Sequence, residues 1–343
     1  MSQMNEHLGG ITWNKTKGFL SKYAILLLLL FIILIVGATN ENFLRLGNIQ
    51  TVARNVSVRL LVAFGVSGCL ITKGTDLSAG RLPSLAGCIA ATLLQRADFV
   101  GKFYESMPSL PLIGDFWPKT VVLLLCIGVT VFFGIVNGII IAYLKVPAFI
   151  ATLGTQQVIY GICMMYSRNQ NIGGFRPDYM SLAADDFLGI PYLFIIAFGV
   201  GAFMWFLYNM TRHGKYMYAI GGNEVSAEVS GINVKTTLVK IYALAGILYG
   251  LAGFLTVSKA GSASTGMMAG WELEAIAACT IGGVSTGGGI GKISNIVVGV
   301  MVFELMKSAI NFLGINMNYQ PVIIGTVIVT AVAFDIRNYI AKR

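Results

Sequence analysis

Charged residues are scarce in this sequence, and histidines are scarcer still. Only 11% of the residues are charged and only two are histidine, whereas about 25% of the residues of a typical soluble domain carry a charge. The two histidines, His7 and His213, lie far apart in polar stretches. They leave little material for histidine-based acid–base or metal chemistry. The composition therefore argues against a soluble enzyme.

Cysteines and nucleotide-binding motifs are also too few or too poorly placed to support chemistry. The five cysteines are odd in number, and all sit inside apolar segments without paired spacing, so disulfide bonds and metal clusters are not expected. Residues 286–293 (TGGGIGKI) resemble a phosphate loop. However, Thr286 stands where the pattern requires glycine, and Ile293 stands where it requires serine or threonine. We expect no nucleotide, cofactor, metal or catalytic site in this chain.

Long apolar segments make up most of the chain. Hydrophobic residues account for 56% of it, and a helix needs about 20 of them to cross a bilayer core about 30 Å thick. The polar interruptions are too short to bury a core of their own. The predicted fold is all-α, a polytopic membrane helical bundle forming one transmembrane domain over residues 1–343. The ten predicted spans are 23–39, 57–73, 82–97, 119–144, 148–166, 190–208, 237–258, 271–283, 292–312 and 319–337.

The charge distribution predicts which ends of the spans face the cytoplasm. Lysines before the first span give it the charge pattern of a signal peptide. The apolar run is too long for one and no convincing cleavage site follows, so we expect a retained span after a cytoplasmic tail, residues 1–22. Ten crossings return the C-terminus to the cytoplasm. This topology places fourteen of the 24 basic residues on the cytoplasmic side, as the positive-inside rule requires.

Two segments differ from ordinary straight spans. Residues 40–56 carry apolar side chains at near-helical spacing, which favours an interfacial amphipathic helix over an irregular loop. Residues 279–294 contain many glycines, each costing about 1 kcal/mol of helix propensity, so a broken or re-entrant helix is predicted there. Such backbone survives at membrane depth only where it packs in protein or lines water. A similar pattern over residues 69–80 suggests an internal repeat.

Glycines recur four residues apart within the predicted spans. The sequence contains 41 glycines, and this spacing lets two helix backbones approach closely. It predicts a tightly packed helical bundle and indicates nothing about a substrate. The spacing occurs at Gly134 and Gly138, at Gly246 and Gly250, and at Gly283, Gly287 and Gly291.

The longest predicted cytoplasmic loop, residues 209–236, contains a short helix with both ends encoded. Asn223 is a good N-cap, Glu224 places negative charge in the first turn, and Gly231 supplies a left-handed stop. Because two turns of helix are marginal in water alone, this helix is expected to dock. It docks either in a groove of a cytoplasmic partner, as a coupling helix, or on its own bundle. The residues assigned to coupling are Asn223, Glu224, Val225, Ala227, Val229, Ser230 and Gly231.

Polar side chains within the spans are candidates for function because burying them is costly. Each either contacts a polar solute on a translocation path or simply bridges helices. Asp76 and Arg81 flank a turn and are expected to pair across it, whereas Glu304 and Lys307, one turn apart, can neutralise each other. The candidate path residues are Asn137, Gln156, Gln157, Asp76 and Ser78.

Two further carboxylates, Glu272 and Glu274, lie at the predicted outer mouth of the eighth span. They meet a substrate or a docking protein there, or they only interact favourably with the start of a helix.

Five segments together resemble the sugar-importer permease family of bacterial ABC transporters, which contains the ribose and galactose permeases. The resemblance runs nearly end to end. Within the family, GTDLSAGR and ELEAIAAC are most similar to the galactose/methyl galactoside group, because ribose permeases tend to carry Ile-Asp-Leu-Ser-Val-Gly in the first motif. The segments are FLRLGNI (43–49), TKGTDLSAGR (72–81), VNGIIIAYLKVPAFIATLGT (136–155), TRHGKYMYAIGGNEVSAEVSGINV (211–234) and WELEAIAACTIGGVSTGGGIG (271–291).

The resemblance implies an ABC importer permease fold and a homodimer of ten-helix subunits in the bacterial inner membrane, with the path at their interface. It also implies cytoplasmic ATPase subunits that use ATP and Mg²⁺ and grip residues 223–231. A periplasmic sugar-binding protein would dock outside, where Glu272 and Glu274 are candidate contacts. The chain would then be a transport subunit working by alternating access. The composition agrees, since a chain with no ATP site needs energy from other chains.

Three alternatives stay open at this point. One is an ABC permease for another sugar, such as ribose. Another is an ion-coupled secondary transporter, for which Glu304 beside Lys307 is the only obvious ion site. A membrane-embedded enzyme is disfavoured, because the sequence offers no histidine, cysteine or paired-aspartate constellation.

Overall fold

The computed structural model describes residues 27, 29–96, 98–103 and 117–340. The predicted cytoplasmic tail, residues 1–22, lies outside the described residues. The start of the first predicted span and most of the predicted external loop between residues 97 and 119 lie outside them as well.

Helices form nearly all of the regular structure. The first half contains α1 (Leu29–Thr39), α2 (Leu46–Ile71), a 3₁₀ helix (Leu77–Gly80), α3 (Arg81–Leu93), α4 (Trp117–Ala142), α5 (Ala148–Ser167) and α6 (Pro177–Ala184). The second half contains α7 (Tyr192–Met210), α8 (Arg212–Gly222), α9 (Glu224–Val229), α10 (Val234–Ala260), α11 (Trp271–Ile281), α12 (Ile293–Phe312), a 3₁₀ turn (Met317–Tyr319) and α13 (Gln320–Ile340).

The helices agree with the predicted spans, since each span overlaps one of them. Six helices of the described chain, α2, α4, α5, α7, α10 and α12, are long and apolar enough to cross a membrane. The predicted polytopic helical bundle is therefore confirmed. The elements that were not predicted include the helices α6 and α8 and a hairpin of two-residue strands, β1 (Asp186–Phe187) and β2 (Ile190–Pro191). Strands of two residues are too short to show the alternation of polar and apolar residues from which a strand is predicted.

Helices α3 and α11 match predicted spans but are too short to cross a bilayer alone. With 13 residues in α3 and 11 in α11, at 1.5 Å per residue they are about 20 and 17 Å long, against a bilayer core of about 30 Å. The chain before each of them is not α-helical, yet it enters the bundle. Asp76, before α3, is 1% exposed, and Met268, before α11, is fully buried. Both crossings are therefore interrupted inside the protein.

Helix α10 lies at the centre of the bundle, and glycines bring α4 against it. A Cβ atom added at Gly246 would lie 2.6 Å from the carbonyl oxygen of Thr130, and one added at Gly138 would lie 2.7 Å from the Cα atom of Val239. The other glycines of these two pairs approach the facing helix as closely. The predicted close helix packing is confirmed at both pairs.

The glycine-rich stretch 279–294 is broken, as predicted. Between α11 and α12 the chain leaves the helical conformation, and Gly288 and Gly289 adopt φ of +84° and +72°. The amide of Gly289 donates a hydrogen bond of 2.8 Å to the carbonyl oxygen of Ile71, at the end of α2. The break therefore packs in protein, which buried non-helical backbone requires.

The predicted glycine series Gly283, Gly287 and Gly291 does not pack one helix on another. All three residues lie in the break, outside any helix. That part of the helix-packing prediction is wrong, because four-residue spacing has structural meaning only within a helix. Residues 69–80 contain a comparable break, between α2 and α3. The internal repeat itself stays a prediction.

The predicted interfacial helix at residues 40–56 is not a separate element. Its second part is the beginning of the long helix α2, which continues without a break to Ile71. The polar side chains Asn48, Thr51 and Asn55 line a cavity inside the bundle. The interfacial position of this segment stays a prediction, since its apolar side chains Leu44, Leu46 and Ile49 are half or more exposed.

Candidate functional site

Helix α9 lies at one end of the bundle, and its predicted caps are confirmed. The Asn223 side chain accepts a hydrogen bond of 2.9 Å from the backbone N–H of Ser226. At the other end Gly231 has φ of +84°. Glu224, in the first turn, forms an exposed ion pair with Lys145 at 3.2 Å. The sequence therefore encodes both the start and the end of this short helix.

One buried alanine attaches α9 to its own bundle. Ala227 is only 4% exposed and packs in an apolar cluster with Ala142, Ile220, Val234 and Leu238. Its predicted contact with a partner is therefore wrong, because its methyl group is covered by this chain. The alternative in which α9 packs on its own bundle is correct for this face of the helix.

The opposite face of α9 is uncovered. Val225 is 71% exposed and Val229, one turn later, is 84% exposed. Glu228 and Ser230 are exposed beside them. This face combines two small apolar side chains with a polar rim, and its role in coupling stays a prediction.

His213 lies in α8, at the same end of the bundle. Burial lowers the pKa of its imidazole, and the positive charge of Lys240 lowers that pKa further. Its buried Nε2 atom has no hydrogen-bond partner within the described part of the chain. The ring therefore remains neutral near physiological pH.

Three of the five predicted path residues form one buried polar network. One carboxylate oxygen of Asp76 accepts hydrogen bonds from the N–H and the hydroxyl of Ser78, at 2.9 and 2.5 Å. Tyr249 of α10 donates to the other oxygen at 3.0 Å. Asn137 of α4 donates to the Ser78 hydroxyl at 3.1 Å. The network ties the segment before α3 to α4 and α10, and each member is at most 1% exposed.

The predicted pair between Asp76 and Arg81 is wrong. The guanidinium of Arg81 donates to the carbonyl oxygen of Thr265 at 3.1 Å and lies 4.2 Å from the ring centroid of Tyr160. Hydroxyl groups donate to Asp76 instead. Each side chain is therefore satisfied without the other.

The remaining path candidates lie on α5, outside this network. Gln156 donates to a carboxylate oxygen of Glu272 at 3.4 Å and so links α5 to α11, whereas Gln157 is exposed. Glu272 is only 6% exposed. Its other carboxylate oxygen packs so closely against Gly80 that a Cβ atom at that position would overlap it. Its predicted docking contact is not supported, because a docking protein cannot reach a carboxylate covered in this way.

Glu274 belongs to a cluster of charged side chains inside the bundle. It forms ion pairs with Arg59 of α2 and with Lys307 of α12, the latter at 2.7 Å. Glu304 lies 3.1 Å from Lys307 and 3.4 Å from Arg59. The predicted pair of Glu304 and Lys307 is confirmed. Glu274, however, is engaged in the cluster and is not a free docking carboxylate.

The sequence prediction missed Arg59. The signal was available, since a lone arginine within the second predicted span requires a buried partner. Its guanidinium also lies 4.0 Å from the centroid of the Trp271 ring. The partners come from helices more than 200 positions later in the chain, so the sequence alone could not identify them.

Long apolar helices, two interrupted crossings and polar clusters buried between helices define a polytopic helical membrane permease. The comparison with known families supports this class. The chain belongs to the family described as the branched-chain amino acid transport system / permease component, whose model matches residues 48–332. The match extends from α2 into α13.

Relatives with curated names resemble the chain over all or nearly all of its length. The galactose/methyl galactoside import permease of Salmonella typhimurium is 40% identical over all of both chains. The one from Haemophilus influenzae is 38% identical over 96% of this chain and 98% of the relative. The ribose import permease of Escherichia coli is 33% identical over 93% of this chain and 95% of the relative. No solved structure matches the chain.

Proposed function

We propose that this chain is the membrane-spanning permease subunit of an ATP-driven importer for galactose and methyl galactosides. The observation that carries the proposal is the 40% identity with the Salmonella typhimurium galactose/methyl galactoside permease over the whole of both chains. Identity with the Escherichia coli ribose permease is lower, at 33%. The sequence motifs favour the galactose group independently.

The energy would come from a cytoplasmic ATP-binding subunit that uses ATP and Mg²⁺. Helix α9 is the element we assign to the contact. Ala227 holds it on the bundle, and Val225 and Val229 remain free to enter a groove of the partner. A helix attached on one side and exposed on the other transmits a displacement to the bundle, and alternating access needs such a connection.

The remaining partners follow from the same assignment. We assign two further protein partners, a second copy of this chain and a periplasmic sugar-binding protein. We also place the chain in the bacterial inner membrane, with both termini in the cytoplasm.

The alternative of an ion-coupled transporter loses its candidate ion site. Glu304 is neutralised by Arg59 and Lys307, and a carboxylate held in this way is not free to bind a coupling ion.

Transport can be measured in proteoliposomes that contain this chain with its ATP-binding subunit and its sugar-binding protein. We expect ATP-dependent uptake of radiolabelled galactose, which excess methyl galactoside reduces and excess ribose does not. Stronger competition by ribose would contradict the assigned sugar. Uptake driven by an ion gradient without ATP would contradict the importer class.

The coupling role of α9 can be tested with the double variant Val225→Asp/Val229→Asp. Unpaired carboxylates in an apolar contact are costly to desolvate, so we expect uptake to fall by roughly tenfold or more. Thermal stability should not change, because both valines are exposed. Ser294→Asp is the matched control, since Ser294 is exposed at the first turn of α12 on the same end of the bundle. Normal uptake by the double variant would exclude α9 as the coupling element.

A further inference from the structure

A polar cavity of about 350 Å³ lies between α2, α10, α11, α12 and α13. Two stripes of polar side chains form its facing walls. Asn48, Thr51 and Asn55 recur every three or four residues on α2, and Ser308 and Asn311 do so on α12. This spacing places each set on one face of its helix. The two helices therefore turn polar faces toward each other within a largely apolar bundle.

The ion-pair cluster closes one end of this cavity. Arg59, Glu274 and Glu304 line the cavity and also line a second pocket of about 10 Å³, which continues beyond them. Apolar side chains such as Val62 and Phe303 form the rest of that smaller pocket. The cluster therefore separates a wide polar space from a narrow apolar one.

The wide cavity lies at the end of the bundle opposite α9. It is lined by the first half of α2, the last residues of α10 and α12, and the first residues of α13. The other ends of α2 and α12 meet near α8 and the glycine-rich break, where Gly289 bonds to Ile71 and Tyr218 bonds to Gly291. In the predicted topology the cavity faces the periplasm.

Three cations (Arg59, Lys259 and Lys307) and two carboxylates line the cavity together with amides and hydroxyls, and these polar groups suit a ligand with many hydroxyl groups. The charges of the cluster are largely satisfied by one another, since Arg59 and Lys307 each contact both carboxylates. Lys259 donates to the amide oxygen of Asn55. The lining amides and hydroxyls also bond within the chain, Asn48 to Phe43 and Ser308, Thr51 to Gly47, and Asn311 to Gln320. Each hydroxyl oxygen and each amide N–H₂ group keeps further hydrogen-bonding capacity for a ligand. Ligand cavities range from about 300 to 1,000 Å³, so this one suits a small ligand.

We propose that this cavity is an intramembrane subsite for one monosaccharide, with the cluster of Arg59, Glu274, Glu304 and Lys307 as its floor. The inference rests on the proposed sugar-import function and goes beyond it, because it gives the permease a sugar contact of its own. None of the five path residues predicted from the sequence lines the cavity. The subsite is therefore built on α2 and α12, where the sequence indicated only Glu304 and Lys307.

Labelling of introduced cysteines tests the subsite in the full-length chain in nanodiscs. Asn311→Cys places a thiol in the exposed wall of the cavity, and the five native cysteines are all buried. We expect N-ethylmaleimide to label Asn311→Cys, and galactose at millimolar concentration to slow the labelling severalfold. Val100→Cys is the matched control, because Val100 is 95% exposed and lies outside the cavity. Its labelling should be independent of galactose.

A second substitution separates binding from nonspecific effects. Asn55→Leu added to Asn311→Cys should abolish protection by galactose, because it removes an amide from the facing wall. Asn209→Leu, at an exposed amide outside the cavity, should leave protection intact. Equal protection with and without Asn55→Leu would overturn the assigned contact.

The outcomes distinguish the subsite from the proposed function. Absence of protection in a chain whose complex imports galactose would overturn the subsite alone. Protection by ribose and not by galactose would support the subsite and overturn the assigned sugar. Protection by inorganic phosphate and not by sugars would show an anion site and overturn the proposal. Failure of Asn311→Cys to react without sugar would show a closed cavity, with the same consequence.

Discussion

Small side chains set the distances between the central helices of this protein. Gly138 and Gly246 lie where a methyl group would collide with the backbone of the facing helix. Ala227 on α9 likewise packs against the bundle with almost no exposed surface. Without a hydrophobic driving force between helices in lipid, such close contacts supply much of the association energy. The packing of α4 on α10 therefore depends on the absence of a side chain at Gly138 and Gly246.

Gly246→Ala tests this dependence directly. The new Cβ atom would lie 2.6 Å from the Thr130 carbonyl oxygen and 2.8 Å from the Cα atom of Val131, and overpacking of this kind costs about 1–3 kcal/mol. We expect a thermal midpoint several degrees lower in nanodiscs. Gly128→Ala on α4 is the control, because nothing lies within 4 Å of its added Cβ atom. Equal midpoints for the two variants would show that the close approach does not stabilise the bundle.

At the scale of elements, buried charges connect helices that are distant in sequence. Arg59 on α2, Glu274 on α11 and both Glu304 and Lys307 on α12 balance two positive charges against two negative ones. The cluster fixes these three helices relative to one another around Trp271. Each charge is tolerated inside the bundle only because its partners are present.

A double-mutant comparison measures this balance. Arg59→Met leaves two carboxylates and one ammonium, and removing one partner of a buried ion pair costs about 3–5 kcal/mol. Arg59→Met/Glu274→Leu restores equal numbers of charges, so we expect it to regain most of the stability lost by the single variant. Tryptophan fluorescence during heating in nanodiscs follows unfolding. Additive losses in the double variant would mean that Arg59 and Glu274 act independently.

At the scale of the whole molecule, the two ends of the bundle differ. One end carries α8, α9 and the glycine-rich break, bonded to the end of α2. The other carries α6, the β1–β2 hairpin and the open polar cavity. An importer requires such a difference, because it receives solute at one surface and energy at the other.

Cysteine labelling in intact cells fixes the orientation of the two ends. Val100 is 95% exposed at the end with the cavity, and Ser230 is exposed at the end of α9. A membrane-impermeant maleimide should label Val100→Cys from outside the inner membrane and reach Ser230→Cys only after the membrane is permeabilised. The reverse pattern would place α9 in the periplasm and remove the basis for coupling.

Local signals predicted the elements that depend on neighbouring residues. The caps of α9 were predictable because Asn223 and Gly231 act on backbone within a few residues. The break after α11 followed from the glycine content alone. The continuity of residues 46–56 with the following span was not predicted. Asn48, Thr51 and Asn55 line a cavity shared with α12, about 250 positions later in the chain, which sequence spacing does not identify.

The sequence by itself determined that this chain crosses the membrane, roughly where its spanning helices lie, and that α9 is a separate capped helix. Hydropathy and capping depend on residues within one helix, so the local sequence is enough to predict their outcome. Only the tertiary structure decided which face of α9 is free, which partners neutralise Arg59, and where the polar cavity lies. Those features arise where helices distant in the chain meet, and burial then forces each polar group to find a partner.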